Sequence, residues 1–312
     1  MALPTAVGGA LKAPRPAGRR RNSLSRRRGV LGVIYVAPAA VLLGLFFIWP
    51  LIRTVYISFF DYPLLGPSSF VGVQNYIDAF SDSEFGQAVV FTLFYTVITT
   101  PVLLAVGFGL AALVRRRTRA ARIFQTVYFV PVVIGLASAS YLWVFIWQPD
   151  IGPLTDLLAR LGIGDASTNL FANPGTAFLI VLGMVVWKTA GLQMLLLLSG
   201  IQSIPEEVVE ASRMDGAGRW QTFRLITLPL LRPTLALVLV FSVAGSLLAF
   251  DQFYIMTSGG PDNSTITAVF QIYRTGFVQF HLGYASALSI LLMLVLGAVS
   301  VVQMLLLRNA DD

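Results

Sequence analysis

Long apolar stretches, each of about 20 residues or more, constrain this chain more than any other feature of its sequence. A helix of that length crosses the hydrocarbon core of a bilayer, which is roughly 30 Å thick. Only 12% of the residues are charged, about half the share usual in soluble domains. Helices satisfy their own backbone hydrogen bonds in lipid, and the alternating pattern of a membrane barrel is absent. The sequence therefore predicts an all-α polytopic membrane protein.

Hydropathy predicts six transmembrane helices. Their approximate bounds are 29–57, 86–114, 123–147, 176–200, 232–257 and 282–307. The first apolar run is longer than a signal-peptide core and lacks a convincing small-residue cleavage site, so we expect an uncleaved span. Residues 1–28 are rich in Arg, Pro, Ala and Gly, which predicts a disordered basic tail, and residues 308–312 form a second, short tail.

The distribution of Lys and Arg predicts the orientation of these spans. Of the 22 basic residues, 18 lie in the first tail, in the loops after spans two and four, or just after span six. The positive-inside rule places these segments, and with them both termini, in the cytoplasm. The same explanation accounts for the net charge of +7, which in a soluble protein would suggest nucleic-acid binding. We therefore expect a lipid membrane and no nucleic acid among the partners.

Several kinds of chemistry are excluded by what the chain lacks. There is no cysteine and one histidine, His281, which excludes cysteine sites and multi-histidine metal sites. No G-x-x-x-x-G-K-[ST] phosphate loop is present, so the chain does not hydrolyse ATP by itself. Adjacent acidic residues occur only at 206–207 and 311–312, too few for a metal-dependent membrane transferase. We predict no catalytic residue, metal or cofactor in this chain.

A polar segment, residues 204–229, separates the fourth and fifth spans. Pro205 suits the first turn of a helix, and the two glutamates that follow it are favourable at the positive helix end. Gly216 permits a sharp break, after which a second short helix is predicted from about 217 to 226. Pro229 is expected at the boundary with the next span. The pattern favours a surface that holds another protein, and the alternative is an ordinary amphipathic loop.

This segment resembles the cytoplasmic coupling motif of binding-protein-dependent ABC importer permeases. In that motif Glu-Ala-Ala precedes a glycine by three intervening residues, and nine more separate the glycine from Ile-x-Leu-Pro. The matching residues are Glu210, Ala211, Ser212, Gly216, Ile226, Leu228 and Pro229, with Asp215 and Ala217 beside the glycine. Ser212 stands where the motif has its second alanine, a replacement of one small residue by another.

Two further stretches resemble the carbohydrate branch of this family. Residues 250–261, followed by Ser264 and Thr265, are similar to the end of span five and the next outer loop in the first-partner permease of maltose and glycerol-phosphate importers. Residues 70–76, Phe-Val-Gly-Val-Gln-Asn-Tyr, are similar to the first outer loop of the same permeases. The resemblance covers nearly all of residues 30–307 and leaves out the basic tail.

The resemblance implies an ABC importer permease fold over residues 29–307, in a multi-pass protein of the bacterial cytoplasmic membrane. It implies alternating access that moves a sugar or related polyol inward. The implied partners are a homologous second permease, two ATPase subunits that bind ATP and Mg, and an extracytoplasmic solute-binding protein or lipoprotein. Glu210 would make polar contacts with the ATPase, Gly216 would form the turn, and Ala211 with its neighbour would permit close packing.

Candidate residues for the substrate pathway come from polar groups inside the predicted spans. Lys188 lies mid-way along span four, beside Trp187 and about a turn before Gln193. An aromatic face with ammonium and amide donors suits a polyhydroxylated ligand, and charged groups inside spans are often functional. The alternative is that Lys188 pairs with a carbonyl or with a partner subunit. Asp251 and Gln252, near the outer end of span five, suit a gate or a binding-protein contact equally well.

Two rival functions stay open at this point. An importer of glycerol phosphate or another non-sugar solute would have the same overall architecture. A secondary transporter would need coupling carboxylates near mid-membrane and often has inverted repeats. Asp251 is the one plausible intramembrane acid and no repeat is visible, which disfavours that class.

Overall fold

The computed structural model describes residues 35–115 and 118–308. The predicted tail 1–28, the start of the first predicted span and residues 309–312 lie outside this range. Within it the chain is mostly helical. A two-stranded antiparallel sheet is also present, in which Phe60 pairs with Phe70 and Asp61 with Ser69. The chain divides after Arg53 into two compact units.

The elements follow one another along the chain as a series of long helices separated by short ones. In order they are α1 (Tyr35–Ile57), β1 (Phe60–Asp61), β2 (Ser69–Phe70), α2 (Gln74–Ser81), α3 (Ser83–Leu113), α4 (Arg119–Val133), α5 (Leu136–Ile146), α6 (Pro153–Arg160), α7 (Pro174–Ser203), α8 (Glu206–Met214), α9 (Arg219–Leu230), α10 (Arg232–Leu247), α11 (Asp251–Met256), α12 (Ala268–Tyr273) and α13 (Leu282–Arg308). A 3-10 turn, Leu170–Ala172, precedes α7, and π turns occur in α1, in α9 and directly after α12.

Four helices of the described chain, α1, α3, α7 and α13, are long and apolar enough to cross a membrane. Two further pairs pass the same test together but are bent, α4 with α5 by 99° and α9 with α10 by 73°. The number of spans reaches six if each bent pair is one span. The predicted spans 86–114, 176–200 and 282–307 therefore coincide with single helices, whereas 123–147 does not.

The fifth predicted span, 232–257, is also interrupted. Helix α10 ends at Leu247, and α11 begins at Asp251 after a short irregular stretch. Pro229 lies in the last turn of α9, two residues before the chain bends at Leu231 and thus close to the boundary at which we expected it. A proline removes a backbone donor, and the π turn Phe223–Thr227 just before it changes the hydrogen-bond spacing at this place.

Helix α7 packs closely against three neighbouring helices. A Cβ at Gly107 of α3 would come within 2.8 Å of the Cβ of Gln193, and a Cβ at Gly191 would overlap the carbonyl oxygen of Tyr128 on α4. At Gly200 a Cβ would likewise overlap the side chain of Thr234 on α10. Helices in lipid associate through such small residues, because van der Waals packing replaces the hydrophobic effect. Three neighbours are thus placed against one central helix.

Candidate functional site

The residues that resemble the coupling motif lie on two consecutive helices, α8 and α9. These two helices are here called the 204–230 hairpin. Helix α8 begins after Pro205, and its last turn closes on Asp215, whose N–H donates to the carbonyl of Ala211. Gly216 has a φ of +82°, the left-handed conformation that glycine adopts most easily. The next N–H, that of Ala217, donates back to the carbonyl of Ser212 at 3.0 Å. The expected break at Gly216 is therefore a helix C-cap that turns the chain toward α9.

Ser212 is the buried residue of α8, with 5% of its surface exposed. Its Oγ donates to the carbonyl of Val209 at 2.7 Å and lies 3.3 Å from Oγ1 of Thr222 on α9. The serine thus points into the hairpin and adds a polar contact between its two helices. An alanine at this position would fit the same space without that contact.

The outer surface of the hairpin is both charged and apolar. Glu210, Ala211 and Asp215 are exposed, and so are large apolar side chains on both helices. The most exposed of these are Met214 at 89%, Trp220 at 69% and Leu225 at 68%. Exposed apolar side chains of this size typically mark a contact with another protein or with the membrane.

The remaining motif residues, Ile226, Leu228 and Pro229, are half-buried within α9. They lie on the stretch that leads into α10, beyond the exposed part of the hairpin. Their position suits a role in joining the hairpin to the membrane helix rather than a direct contact with a partner.

Lys188 of α7 is bound within the chain. Its Nζ donates to the carbonyl of Ile134 at 2.6 Å and lies 3.4 Å from the carbonyl of Val132. These are the last carbonyls of α4, at the bend before α5. The ammonium therefore pairs with carbonyl groups that the end of α4 leaves without a helical partner. This is the alternative that the sequence left open for Lys188.

The other pathway candidates have separate partners. Gln193 is buried and its Nε2 donates to Oγ of Ser242 at 2.8 Å. Gln252 is buried and its Nε2 lies 3.4 Å from the hydroxyl of Tyr95. Asp251 is half-buried in the first turn of α11.

Trp187 is 36% exposed, and its ring centroid lies 6.0 Å from that of Trp143. The structure thus gives Lys188, Gln193 and Gln252 three different sets of partners within the chain, and a role for these residues in the substrate pathway stays a prediction.

Helix α3 has a buried polar face that was not predicted from the sequence. Its members recur every three or four residues and face the interior: Thr92, Tyr95, Thr96, Thr99 and Thr100. Oγ1 of Thr92 accepts a hydrogen bond from the N–H of Ala268 at 2.8 Å, and Tyr95 approaches Gln252. The helical spacing of hydroxyl residues inside an apolar run was the available signal.

Comparison with known proteins identifies the family. The family model of the inner membrane component of binding-protein-dependent transport systems matches residues 79–310, which include the whole 204–230 hairpin. The chain belongs to this family. The prediction of a binding-protein-dependent ABC importer permease is therefore confirmed.

Curated permeases of this family are similar over nearly their whole length. The sulfoquinovosyl glycerol transport system permease protein of Agrobacterium fabrum is 34% identical over 284 residues, 90% of this chain and 92% of that protein. The sn-glycerol-3-phosphate transport system permease protein of Yersinia pestis is 34% identical over 277 residues, 88% of this chain and 92% of that protein.

A solved permease structure has the same fold. It comes from a bacterial ABC transporter that imports the acidic polysaccharide alginate, and its TM-score to this chain is 0.81 at 22% identity. The alignment covers 94% of this chain and 100% of that one. A second structure of an alginate transporter, in complex with its pentasaccharide-bound periplasmic protein, gives a TM-score of 0.76 at 21% identity.

This binding-protein-dependent permease also has an acidic cleft of about 460 Å³ at the opposite end of α3 from the hairpin. Its lining includes Asp61, Asp78, Asp82, His281 and Tyr284. Asp82 caps α3 through Oδ1, which accepts from the N–H of Glu84 at 2.8 Å. Its Oδ2 accepts from the hydroxyl of Tyr284 at 2.7 Å. Within the described ranges no group of three His, Asp or Glu is arranged to hold a metal ion.

Proposed function

We propose that this permease moves a sugar or related polyol into the cytoplasm by alternating access, powered by a separate ATPase that docks on the 204–230 hairpin. The observation that carries the proposal is the exposed surface of this hairpin, on which Glu210 and Ala211 lie among apolar side chains. An exposed surface of mixed character, attached directly to two membrane helices, suits a partner that supplies mechanical work.

The partners in this proposal are a second, homologous permease, two ATPase subunits and an extracytoplasmic binding protein. ATP binding would draw the ATPase pair together and displace the docked hairpins of the two permeases. Helices α7 and α10 are continuous in sequence with the hairpin and would move with it. Hydrolysis would then return the spans to their first arrangement. The proposal includes six spans with both termini in the cytoplasm.

The substrate class is supported by the relatives. Their names describe transport of sulfoquinovosyl glycerol and of sn-glycerol-3-phosphate, and the structural neighbour imports alginate. All three are polyhydroxylated. A phosphorylated or otherwise acidic polyol is the second candidate, because glycerol phosphate and alginate both carry negative charge.

Reconstitution of the complete importer in liposomes tests the coupling. Glu210→Ala and Gly216→Pro should each reduce uptake and the ATPase activity that loaded binding protein stimulates. Glu206→Ala, which removes an exposed acid from the first turn of the same helix, is the matched control. Uptake and stimulated ATPase activity that match the parent in both variants would overturn the coupling role.

The source of energy and the substrate need separate tests. Uptake that survives ATP depletion but stops with an uncoupler would favour a secondary transporter over the proposal. Calorimetric titration of the associated binding protein with neutral oligosaccharides and with glycerol phosphate would separate the two substrate candidates.

A further inference from the structure

Three aromatic rings connect the exposed surface of the 204–230 hairpin to the membrane-spanning part of the chain. Trp220 is 69% exposed, and its ring centroid lies 5.7 Å from that of Phe223, with the planes inclined by 30°. Phe223 in turn meets Phe108 of α3 edge-on, at 6.0 Å and 86°. Edge-to-face pairs at this distance attract each other beyond the simple burial of their surface.

Phe108 packs against a buried apolar cluster at its end of the bundle. The members of this cluster come from α3 and its C-terminal end, α4, α7 and α10: Ala111, Val114, Ala121, Met194, Leu197, Leu198 and Val238. The ring of Phe223 therefore touches a side chain that is supported by several spans at once. Close-packed interiors transmit displacement because they have little free volume to absorb it.

Helix α3 differs from α7 and α10 in how it is joined to the hairpin. Helices α7 and α10 directly precede and follow the hairpin in sequence, whereas Phe108 and Phe223 are far apart along the chain. A movement of the hairpin can reach α3 only through non-covalent contacts. The ring pair supplies a direct one.

We infer that Phe223 and Phe108 are positioning residues that make α3 follow the hairpin when the ATPase displaces it. The inference rests on the proposed function. It adds a physical route from the docking surface to α3, a span that is not joined to the hairpin in sequence. Trp220 is the outermost ring of this route, on the face that the ATPase would cover. A coupling route of this kind requires evidence of energetic coupling, which a double-mutant cycle supplies.

The cycle consists of Phe108→Ala, Phe223→Ala and the double variant in the reconstituted importer. Each single variant should lower uptake per ATP hydrolysed by about two- to tenfold, the range expected from losing an aromatic pair. The double variant should be no worse than the more severe single one, because the contact is already lost. Phe124→Ala on α4, where the phenylalanine is 48% exposed, is the control and should match the parent.

A distance measurement separates transmission from a merely structural role. This chain has no cysteine, so in an importer whose other subunits are also freed of cysteine, spin labels at Gly109→Cys and Glu206→Cys report the separation of α3 from the hairpin. In the parent this separation should stay constant when ATP is added. In Phe223→Ala it should change, because the hairpin then moves without α3. Where an alanine variant does not assemble, its leucine counterpart preserves apolar volume and takes its place.

The outcomes distinguish the two proposals. If the purified ATPase does not bind the parent permease, the proposed function fails. If it binds, but the losses in the double variant are multiplicative or the spin-label separation is the same in every variant, the inference about the two phenylalanines is overturned.

Discussion

The ammonium group of Lys188 donates a hydrogen bond of 2.6 Å to the carbonyl oxygen of Ile134, the residue that directly follows helix α4. A lone charge inside a span is unfavourable, and the C-terminal carbonyls of a helix carry partial negative charge. The pair thus stabilises a charged group and a bent helix together. The pair lies at the place where the chain bends by 99° within an apolar segment.

Replacement of Lys188 by methionine is expected to destabilise the protein by about 1.5–3 kcal/mol, the usual range for a hydrogen bond to a charged group. Thermal unfolding in detergent measures the effect. Thr189→Ala is the control, because the Thr189 hydroxyl donates to Val185 of its own helix and its loss should have a smaller effect. A variant that is as stable as the parent but has lost uptake would instead indicate that Lys188 acts in the substrate pathway.

Gly191→Ala should disrupt the packing of α7 against α4. The added methyl group would overlap the carbonyl of Tyr128, and backbone atoms cannot move aside as a flexible side chain can. We expect a loss of roughly 1–3 kcal/mol from this overpacking. Gly109→Ala on α3 meets no atom within 4 Å and serves as the control. Equal melting temperatures for the two variants would contradict the close approach of the helices.

Tyr284→Phe should weaken the connection between α13 and the start of α3. The variant removes the hydroxyl that donates to Oδ2 of Asp82, at a cost of about 1.5–3 kcal/mol. Asp82→Ala should be more harmful, because it also removes the N-cap of α3. Tyr141→Phe, at a tyrosine that is 65% exposed, is the control in the same unfolding experiment. Additive losses in Tyr284→Phe/Asp82→Ala would show that the two residues act separately.

The orientation predicted from Lys and Arg can be tested with single cysteines in a chain that has none of its own. Leu65→Cys and Met214→Cys place thiols at residues that are 88% and 89% exposed. A membrane-impermeant maleimide should label Leu65→Cys when applied from outside, and Met214→Cys only after the membrane is opened. The reverse pattern would overturn the predicted topology.

Hydropathy predicted the long helices well and their bends poorly. The bounds of α3, α7 and α13 lie within a few residues of the predictions, because an unbroken apolar run leaves a helix little alternative in lipid. The bend between α4 and α5 depends on the direction of the backbone at Ile134 and Gly135, which composition does not describe. Pro131 and Gly135, only four residues apart, were the local signal for it.

Motif spacing predicted the break in the hairpin, whereas it could not predict the partners of the polar residues inside the spans. The turn at Gly216 follows from local backbone preference, which is legible in a short stretch of sequence. The partners of Lys188 and Gln252 come from helices far away in the chain, so their roles depend on packing. Polar residues inside a span indicate that a partner exists without saying which one.

The contact between Tyr95 and Gln252 also has a consequence for folding during synthesis, because one partner is made long before the other. The two residues are 157 positions apart, an interval that takes roughly 8–30 s at ~5–20 residues per second. During that time Tyr95 of the nascent helix α3 has not yet met Gln252, and Thr92 of the same face waits still longer for the N–H of Ala268. A chain that stops short of residue 252 therefore lacks both of these contacts with α3.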